Sequence, residues 1–380
     1  MTVPKRLTKV SLFLAKLDGS GVPRVMINLA EGFRKLDCKV ELIVGSAAGA
    51  FSEQAPDGVN VHDLGVRRAL LAFPGLTKRL RATRPDLLIS AEDHSNLVAV
   101  AARHFAQGSA TKLAVTGHVR FNRPDSNRIL SRGYWVLRLI PKVYPSADLV
   151  TTVSAGLADN MAEEVPYPRS TITVIPNAVL SERVFRMAEE DPGHPWLSGD
   201  QGPIRTVVAV GRLSNAKNFA LLIDAVARIP HVRALILGEG PLRSDLEAQI
   251  AGLGLTERVS LLGFQANPYC FMRRADAFVL SSRFEGLPTV LIEALALDVP
   301  VISTDCPHGP REIIEVAGSG VLVQPGDPGS LAAGILSALS SGPPAEMSDH
   351  MTSIYGPAAV ARRYLNALGI QAPDPISIEL

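Results

Sequence analysis

Two glutamates stand where a strand would turn into a helix, within residues 283–304 (RFEGLPTVLIEALALDVPVIST). Glu285 falls in the polar loop, and Glu293 lies more than one turn into the apolar helix that we expect over Thr289–Leu297. Pro288 suits the start of that helix, whose first N–H groups have no partner inside it and form a site for an anion. The two acidic side chains could then hold the hydroxyl groups of a phosphate-containing ligand. The alternative is a structural strand–helix corner, with Glu293 favourably placed near the helix N-terminus.

A second loop of the same kind, within residues 207–229 (VVAVGRLSNAKNFALLIDAVARI), carries two cations. Gly211 ends an apolar strand, Arg212 and Lys217 follow it, and an amphipathic helix begins near Phe219. The fork of an arginine and the point charge of a lysine suit a diphosphate. Either cation alone is more simply explained as a solvated loop residue. Because both flank a change from strand to helix opposite the first loop, we interpret them as functional.

The elements that must position these residues alternate along the whole chain, which is the pattern of parallel sheets wound with helices. In the first half we expect strands at Lys9–Ala15, Val40–Gly45, Val59–Leu64, Asp86–Ser90, Leu113–Thr116, Leu149–Val153 and Thr171–Ile175. In the second half we expect them at Thr206–Val210, Ala234–Leu237, Val259–Leu262, Ala277–Ser281, Val299–Ser303 and Gly320–Val323. Ligands of such sheets bind beyond the carboxyl ends of the strands.

The chain length of 380 residues suits two domains. A stretch dense in Pro, Gly and Asp, EEDPGHPWLSGDQGP, separates the halves and is the best candidate linker. The predicted division is an N-terminal domain, a linker, a C-terminal domain, a final helix and a tail, at 1–190, 191–203, 204–355, 356–370 and 371–380. Each domain is expected to be an α/β, doubly wound unit.

The composition excludes several classes of protein. The net charge of +1 hides +8 on residues 1–180 and −7 on residues 181–380, but the basic half has no motif for binding nucleic acid. The run VSLFLA near the start is too short for a signal peptide or a membrane span, and we expect a strand there. Three scattered cysteines suit a reducing cytoplasm and argue against disulfides or zinc.

The motifs of the second half resemble, in order and spacing, family 4 of the retaining GT-B glycosyltransferases. They are GRLSNAKN, GEGPLRSDLEAQIAGLGLTERVSLLGF, NPYCFMRRADAFVLSSRFEG, FEGLPTVLIEAL with its pair Glu285 and Glu293, and STDCPHGPREII. The first half is similar over DGSGVPRVMINLAEGF, VTTVSAGLADNM and VIPNAV. The resemblance implies the GT-B fold, in which two Rossmann-like domains face each other across a cleft, with a C-terminal helix that returns to the N-terminal domain.

The resemblance also implies a nucleotide-sugar donor bound mainly by the second domain. Glu293 would bind both ribose hydroxyls, and Glu285 would lie beside the transferred sugar. Arg212 and Lys217 would neutralise the diphosphate leaving group. The backbone that cradles the donor phosphates would be that of Gly286, Leu287, Pro288 and Thr289.

Three further positions follow from the same resemblance. Main-chain atoms at Phe264 would meet the base, and Gly21 would let the first loop approach the phosphates. The family usually has Gly-Gly-Ala/Val-Glu-Arg in that loop, where this chain has Ser20-Gly21-Val22-Pro23-Arg24. His118 stands where the family often has a histidine or aspartate that faces the sugar, and the alternative is a loop histidine without a special role.

No metal or cofactor is expected. The chain contains no Asp-x-Asp, the usual metal-diphosphate device of the other large transferase fold. His94, beside Glu92 and Asp93, lacks a second ligand group at a metal-binding spacing.

Basic residues surround the apolar stretch ALLAFPGL in the first half: Arg67, Arg68, Lys78, Arg79, Arg81 and Arg84. One explanation is a surface that rests on an anionic membrane, and the simpler one is a solvated helix face.

Taken together, these observations predict a metal-independent, cytoplasmic or peripheral enzyme that moves a hexosyl group with retention of configuration. The donor would be a UDP- or GDP-sugar, and the acceptor a carbohydrate or lipid-linked hydroxyl bound mainly by the first domain, in polysaccharide, glycolipid or glycoconjugate biosynthesis. A sugar-nucleotide epimerase is one alternative within the fold. A non-catalytic sugar-nucleotide-binding subunit is another, although the intact set of cations and glutamates argues against it.

Overall fold

The computed structural model describes residues 7–17, 21–48, 55–106, 110–121, 132–198, 202–342 and 346–371. Ser20, part of the predicted linker and the predicted tail after residue 371 lie outside these ranges. The chain divides into two compact units, of which one comprises Met1–Val179 with Ile354–Leu380 and the other Leu180–Ser353. Each unit contains one parallel sheet with helices in the connections.

The sheet of the first unit has the order β3-β2-β1-β4-β5-β6-β7, and its paired strands are parallel. Its strands are β1 (Lys9–Lys16), β2 (Lys39–Ser46), β3 (Asn60–Asp63), β4 (Leu87–Ala91), β5 (Lys112–Gly117), β6 (Leu149–Thr152) and β7 (Ile172–Val174). Its helices are α1 (Gly21–Lys35), α2 (Phe73–Thr83), α3 (Asp93–Phe105), α4 (Arg132–Val143) and α5 (Ala155–Glu164).

The sheet of the second unit has the order β10-β9-β8-β11-β12-β13, again with parallel pairs. Its strands are β8 (Arg205–Val210), β9 (Val232–Leu237), β10 (Val259–Gly263), β11 (Ala277–Leu280), β12 (Val301–Thr304) and β13 (Val321–Val323). Its helices are α6 (Glu182–Ala188), α7 (Phe219–Ala227), α8 (Arg243–Gly252), α9 (Tyr269–Arg273), α10 (Thr289–Ala296), α11 (Pro310–Ala317) and α12 (Pro328–Ser341). The chain then returns to the first unit within α13 (Met347–Tyr355), and α14 (Pro357–Ala367) is the last helix of the described residues.

Every predicted strand is present, and its ends differ from the prediction by at most two residues. Most of these strands were clear from the sequence because they are aliphatic on both faces, whereas β3 (Asn60–Asp63) is largely exposed. Six consecutive residues of β1 are buried, as expected of a parallel strand covered by helices on both sides.

The final helix packs against α1 in the first unit, as the fold class predicted. A Cβ added at Gly32 of α1 would lie 2.1 Å from the carbonyl oxygen of Pro357, so the two helices cross at backbone contact. Tyr364 of α14 also reaches the sheet, where its hydroxyl lies 3.1 Å from the Thr116 hydroxyl.

The chain passes from the first unit to the second at residues 179–180, ahead of the predicted linker. The reason is that the end of α6 is attached to the second unit. Arg274 donates hydrogen bonds to the carbonyl oxygens of Ala188 and Glu190, and the Asn267 amide donates to that of Met187 at 2.8 Å.

The strand order reverses between β1 and β4 in the first sheet and between β8 and β11 in the second. Such reversals open a crevice beyond the carboxyl ends of the two strands. The loops that follow β8 and β11 are the two that the sequence singled out. Within the described residues, no helix is both long and apolar enough to cross a membrane.

Candidate active site

The loops after β8 and β11 are hydrogen-bonded to each other at the reversal of the second sheet. Val207 and Val208 of β8 pair with Ala277 and Phe278 of β11, which brings the two strand ends together. Beyond the strands, the Arg283 N–H donates to the carbonyl of Ala216 at 2.8 Å, and the Ser281 hydroxyl donates to that of Lys217 at 2.9 Å.

Lys217 and Glu285 form an ion pair in this crevice. The Lys217 ammonium lies 2.6 Å from Oε1 of Glu285, and the Ser282 hydroxyl donates to the same oxygen at 2.6 Å. The side chains of Lys217 and Glu285 are 22% and 11% exposed, so both charges are largely withdrawn from water. The structure therefore brings together two residues that the sequence predicted for one site.

The loop that carries Glu285 is also held by the segment after β12. The Thr304 hydroxyl donates to the Ser282 carbonyl at 2.6 Å, and the Glu285 N–H donates to that of Pro307 at 3.2 Å. Gly309 has φ +92°, and a Cβ there would lie 2.7 Å from Pro288 Cδ, so only glycine fits this approach. The backbone of 286–288 is thus packed into a fixed shape.

Cys306 lies close to this loop without taking part in the ion pair. Burial, together with the nearby Glu285 charge, raises the pKa of its thiol to about 12. The thiol therefore stays protonated at physiological pH and cannot serve as a nucleophile there.

The helix α10 begins immediately after the loop, at Thr289. Pro288 precedes it and supplies no side-chain cap, so the first N–H groups of the helix can serve an anion. Glu293 lies in the second turn, 6% exposed, and accepts a hydrogen bond from the Tyr269 hydroxyl at 3.4 Å. Its position agrees with the predicted arrangement of one glutamate in the loop and one inside the helix.

Two other predicted residues lie at the same edge of the second sheet. Arg212 is exposed and makes no ion pair with any described residue. Its loop is fixed by a close approach, because a Cβ at Gly238, whose φ is +141°, would lie 1.9 Å from the Gly211 carbonyl oxygen. Phe264 follows β10 with its side chain 72% exposed.

Gly21 and His118 belong to the first unit, at the carboxyl ends of β1 and β5. Gly21 begins α1, and a Cβ there would meet no atom of the described residues within 4 Å, so their packing does not require glycine at this position.

His118 is held neutral by its surroundings. Burial lowers its pKa to about 4, an effect that the neighbouring Asn177 side chain partly offsets. Neither ring nitrogen has hydrogen-bond geometry with a partner among the described residues, and the Asn177 Oδ1 likewise has none. A neutral imidazole can give one hydrogen bond and accept another, which suits a hydroxyl group.

Buried side-chain polar atoms without a hydrogen-bond partner occur, within the described ranges, only at this edge of the first sheet. They flank the carboxyl ends of β4, β5 and β7 and are Ser90 Oγ, Ser95 Oγ, Asn96 Oδ1, both His118 nitrogens and Asn177 Oδ1. Such atoms are rare in folded proteins and mark a place where water or a ligand belongs.

Asp93 is the residue of this edge that sequence analysis missed as a titrating group. Burial raises the pKa of its carboxyl to about 6, although the Tyr144 hydroxyl donates to it at 3.2 Å. The only sequence signal was its position directly after a strand. Its neighbour His94 is exposed, and the described residues contain no cluster of three or more metal-ligating side chains.

The basic segment of the first unit divides into a structural and an exposed part. Arg79 binds Oε2 of the buried Glu41 through Nε at 2.9 Å and Nη2 at 2.8 Å. It therefore has a structural role and does not belong with the exposed basic residues around ALLAFPGL. Leu70 and Leu71 are 75% and 60% exposed, and the adjacent Arg68 is exposed as well.

Two family models match the chain, and each covers one of its halves. The model for glycosyltransferase family 4 matches residues 19–183, and the model for glycosyl transferases group 1 matches residues 199–353. A Campylobacter jejuni protein, N-acetylgalactosamine-N,N'-diacetylbacillosaminyl-diphospho-undecaprenol 4-alpha-N-acetylgalactosaminyltransferase, is 30% identical over 87% of this chain and 89% of its own. The chain is a family 4 GT-B glycosyltransferase.

Other relatives of this glycosyltransferase support the assignment. The lipopolysaccharide 1,6-galactosyltransferase of Escherichia coli is 27% identical over 70% of this chain and 68% of its own. The Anabaena protein HepE, solved in complex with UDP and glucose, superposes with a TM-score of 0.75 at 21% identity, over 95% of this chain and 99% of its own. At that identity the structural likeness shows the GT-B fold alone.

The His118 ring of the glycosyltransferase is predicted to stay neutral from pH 8 down to about pH 5, because its pKa is about 4 in the fold against 6.5 ordinarily. Imidazole NMR signals, assigned by their loss in His118→Gln, should not titrate in that range. Between pH 6.5 and about 4 this histidine is protonated in the unfolded chain but neutral in the folded one. The free energy of unfolding therefore falls as the pH falls from 6.5 towards 4. A titration midpoint near 6.5 would contradict the assignment.

Proposed function

We propose that this glycosyltransferase moves a sugar from a nucleoside-diphosphate sugar to a hydroxyl acceptor with retention of the anomeric configuration. The observation that carries the proposal is the Lys217–Glu285 pair, 2.6 Å apart at the sheet reversal and directly ahead of the α10 helix start. One loop thus offers a carboxylate for sugar hydroxyls, and its surroundings offer positive charge for phosphates.

The chemistry needs a stabilised leaving group more than it needs a strong base. As the bond from the anomeric carbon to the diphosphate breaks, negative charge grows on the phosphate oxygens. In this proposal Arg212, Lys217 and the first N–H groups of α10 stabilise that charge, and Glu293 holds the ribose. The acceptor oxygen bonds to the same face of the anomeric carbon, and its proton passes to the departing phosphate oxygen. A neutral His118 would position a hydroxyl and take no proton.

The relatives suggest the class of donor and acceptor. HepE was solved with UDP and glucose, and the named activities of two relatives concern an undecaprenol-linked glycan and lipopolysaccharide. We therefore infer a UDP-sugar donor and a lipid-linked or polysaccharide acceptor, with metal-independent chemistry on the cytoplasmic side of a membrane.

A panel of UDP- and GDP-sugars tests the proposal directly. A true donor should raise the melting temperature by mass action and be consumed in the presence of excess EDTA. Proton NMR of the first product from an α-linked donor should show an α linkage. A β product would overturn retention, an absolute Mg²⁺ or Mn²⁺ requirement would overturn metal independence, and conversion of the donor into an epimer would overturn transfer.

Substitutions of Glu293 and Lys217 are predicted to affect different quantities, nucleotide binding for Glu293 and turnover for Lys217. Glu293→Gln should weaken UDP binding at least about tenfold, since a hydrogen bond to a charged group is typically worth about 1.5–3 kcal/mol. Lys217→Ala should lower kcat about 10²-fold, because the charge it stabilises develops only as the bond breaks. Calorimetry and steady-state kinetics measure the two effects.

Arg228→Ala is the matched control, because Arg228 is exposed and follows α7, whereas Lys217 precedes that helix. It should change neither Kd nor kcat. If Lys217→Ala left kcat unchanged and lowered only the melting temperature, the Lys217–Glu285 pair would have a structural role alone.

A lipid-linked acceptor calls for contact with a membrane, for which the first unit offers a surface. Leu70 and Leu71 project from a short 3₁₀ turn (Ala69–Ala72), next to exposed Arg67 and Arg68. Exposed leucines beside cations are the combination that binds anionic interfaces. We infer that this turn rests on the membrane.

Wild-type protein should float with vesicles of phosphatidylcholine and phosphatidylglycerol and bind pure phosphatidylcholine less. Replacing both Leu70 and Leu71 with Glu should weaken binding at least about tenfold, since burying one leucine is worth about 1.5–3 kcal/mol. Leu336→Glu, at a 51% exposed position of the second unit, serves as the control. Equal binding of all three proteins would refute the assignment of this turn.

A further inference from the structure

Ser282 makes a hydrogen bond that the proposed mechanism does not use. Its side chain is 1% exposed, and its hydroxyl donates to Oε1 of Glu285, three residues further along the same loop, at 2.6 Å. The serine is itself anchored, because its carbonyl accepts from the Thr304 hydroxyl at 2.6 Å. A fixed donor therefore faces the carboxylate at the centre of the site.

The two donors to Glu285 meet the same oxygen. Lys217 and Ser282 both bind Oε1, whereas Oε2 has no hydrogen-bond partner among the described residues. The terminal torsion of a glutamate is broad, so a carboxylate without partners rotates freely. Two bonds to one oxygen fix that torsion and keep the other oxygen available for a ligand.

We expect Lys217 to turn towards a bound diphosphate, because a lysine is a flexible point charge that is drawn to the stronger anion. Ser282 stays, since its neutral hydroxyl gains less from the phosphates and its backbone is tied to Thr304. We propose that Ser282 is a positioning residue that keeps Glu285 aimed at the sugar while Lys217 turns to the diphosphate. This inference rests on the proposed donor chemistry of the same site.

The consequence is a separation between binding and turnover. Ser282→Ala should lower kcat for transfer, or for hydrolysis of the donor, about tenfold, as expected for one lost hydrogen bond to a charged group. The Kd for UDP should change less than about twofold, since Lys217 and Glu293 are untouched. Ser282→Thr keeps the hydroxyl and should restore most of the turnover.

Ser303→Ala is the matched control for loss of a buried hydroxyl. Ser303 is fully buried in β12, and its hydroxyl donates only to the carbonyl of Thr304, at 2.8 Å. This variant should reduce thermal stability about as much as Ser282→Ala while leaving kcat unchanged. A merely structural role for Ser282 would make the two variants behave alike.

Two measurements distinguish failure of the inference from failure of the proposed function. If the wild type consumes a donor and Ser282→Ala matches its kcat, the positioning role is overturned. If the wild type consumes no UDP- or GDP-sugar, the proposed function is overturned, and crystal structures of wild type and Ser282→Ala then decide the inference. A Glu285 carboxylate displaced by about 1 Å or more in the variant supports positioning, and an unmoved one refutes it.

Discussion

The parallel pairing of β8 with β11 is the constraint on which the site depends. Between these strands the chain builds β9 and β10 on the far side of β8, so the strand order must reverse where β11 joins. That reversal brings Lys217 within 2.6 Å of Glu285, although the two are distant in sequence. A slip of one residue in this register would turn each side chain of β11 to the other face and move the Glu285 loop with it.

Glu41, which is buried, and Glu285, whose side chain is 11% exposed, use their carboxylate oxygens in different ways. Glu41, in β2, uses both oxygens: Ser11 and Thr83 donate to Oε1, and Arg79 to Oε2. Its charge is fully compensated, which makes it a cross-link between the sheet and α2. Glu285 has both donors on one oxygen. A charge withdrawn from water is expensive unless it is paired, so Lys217 and Ser282 compensate Glu285 through Oε1, while Oε2 has no partner among the described residues.

Local pattern predicted the strands and the two loops after β8 and β11, because each buried parallel strand is a short aliphatic run and each loop directly follows one of them. It did not predict partners that lie far apart along the chain. Arg79 was assigned to the exposed basic set, because the sequence around it gives no indication of its partner Glu41. The hydrogen bond from Ser282 to Glu285 likewise depends on the folded loop and has no sequence pattern of its own. The low pKa of His118 comes from burial at a strand end, which spacing alone does not encode.

The unpartnered polar atoms of the first unit have a consequence for the thermal stability of the enzyme. Each such atom costs about 1–3 kcal/mol unless water or a ligand pairs it, and those in the described residues all fall in this one unit. Substitution of Ser90 or Ser95 by a small apolar residue would remove the free-energy cost of the unpaired hydroxyl and raise thermal stability. If these atoms bind a ligand, the same substitutions would exchange ligand binding for thermal stability.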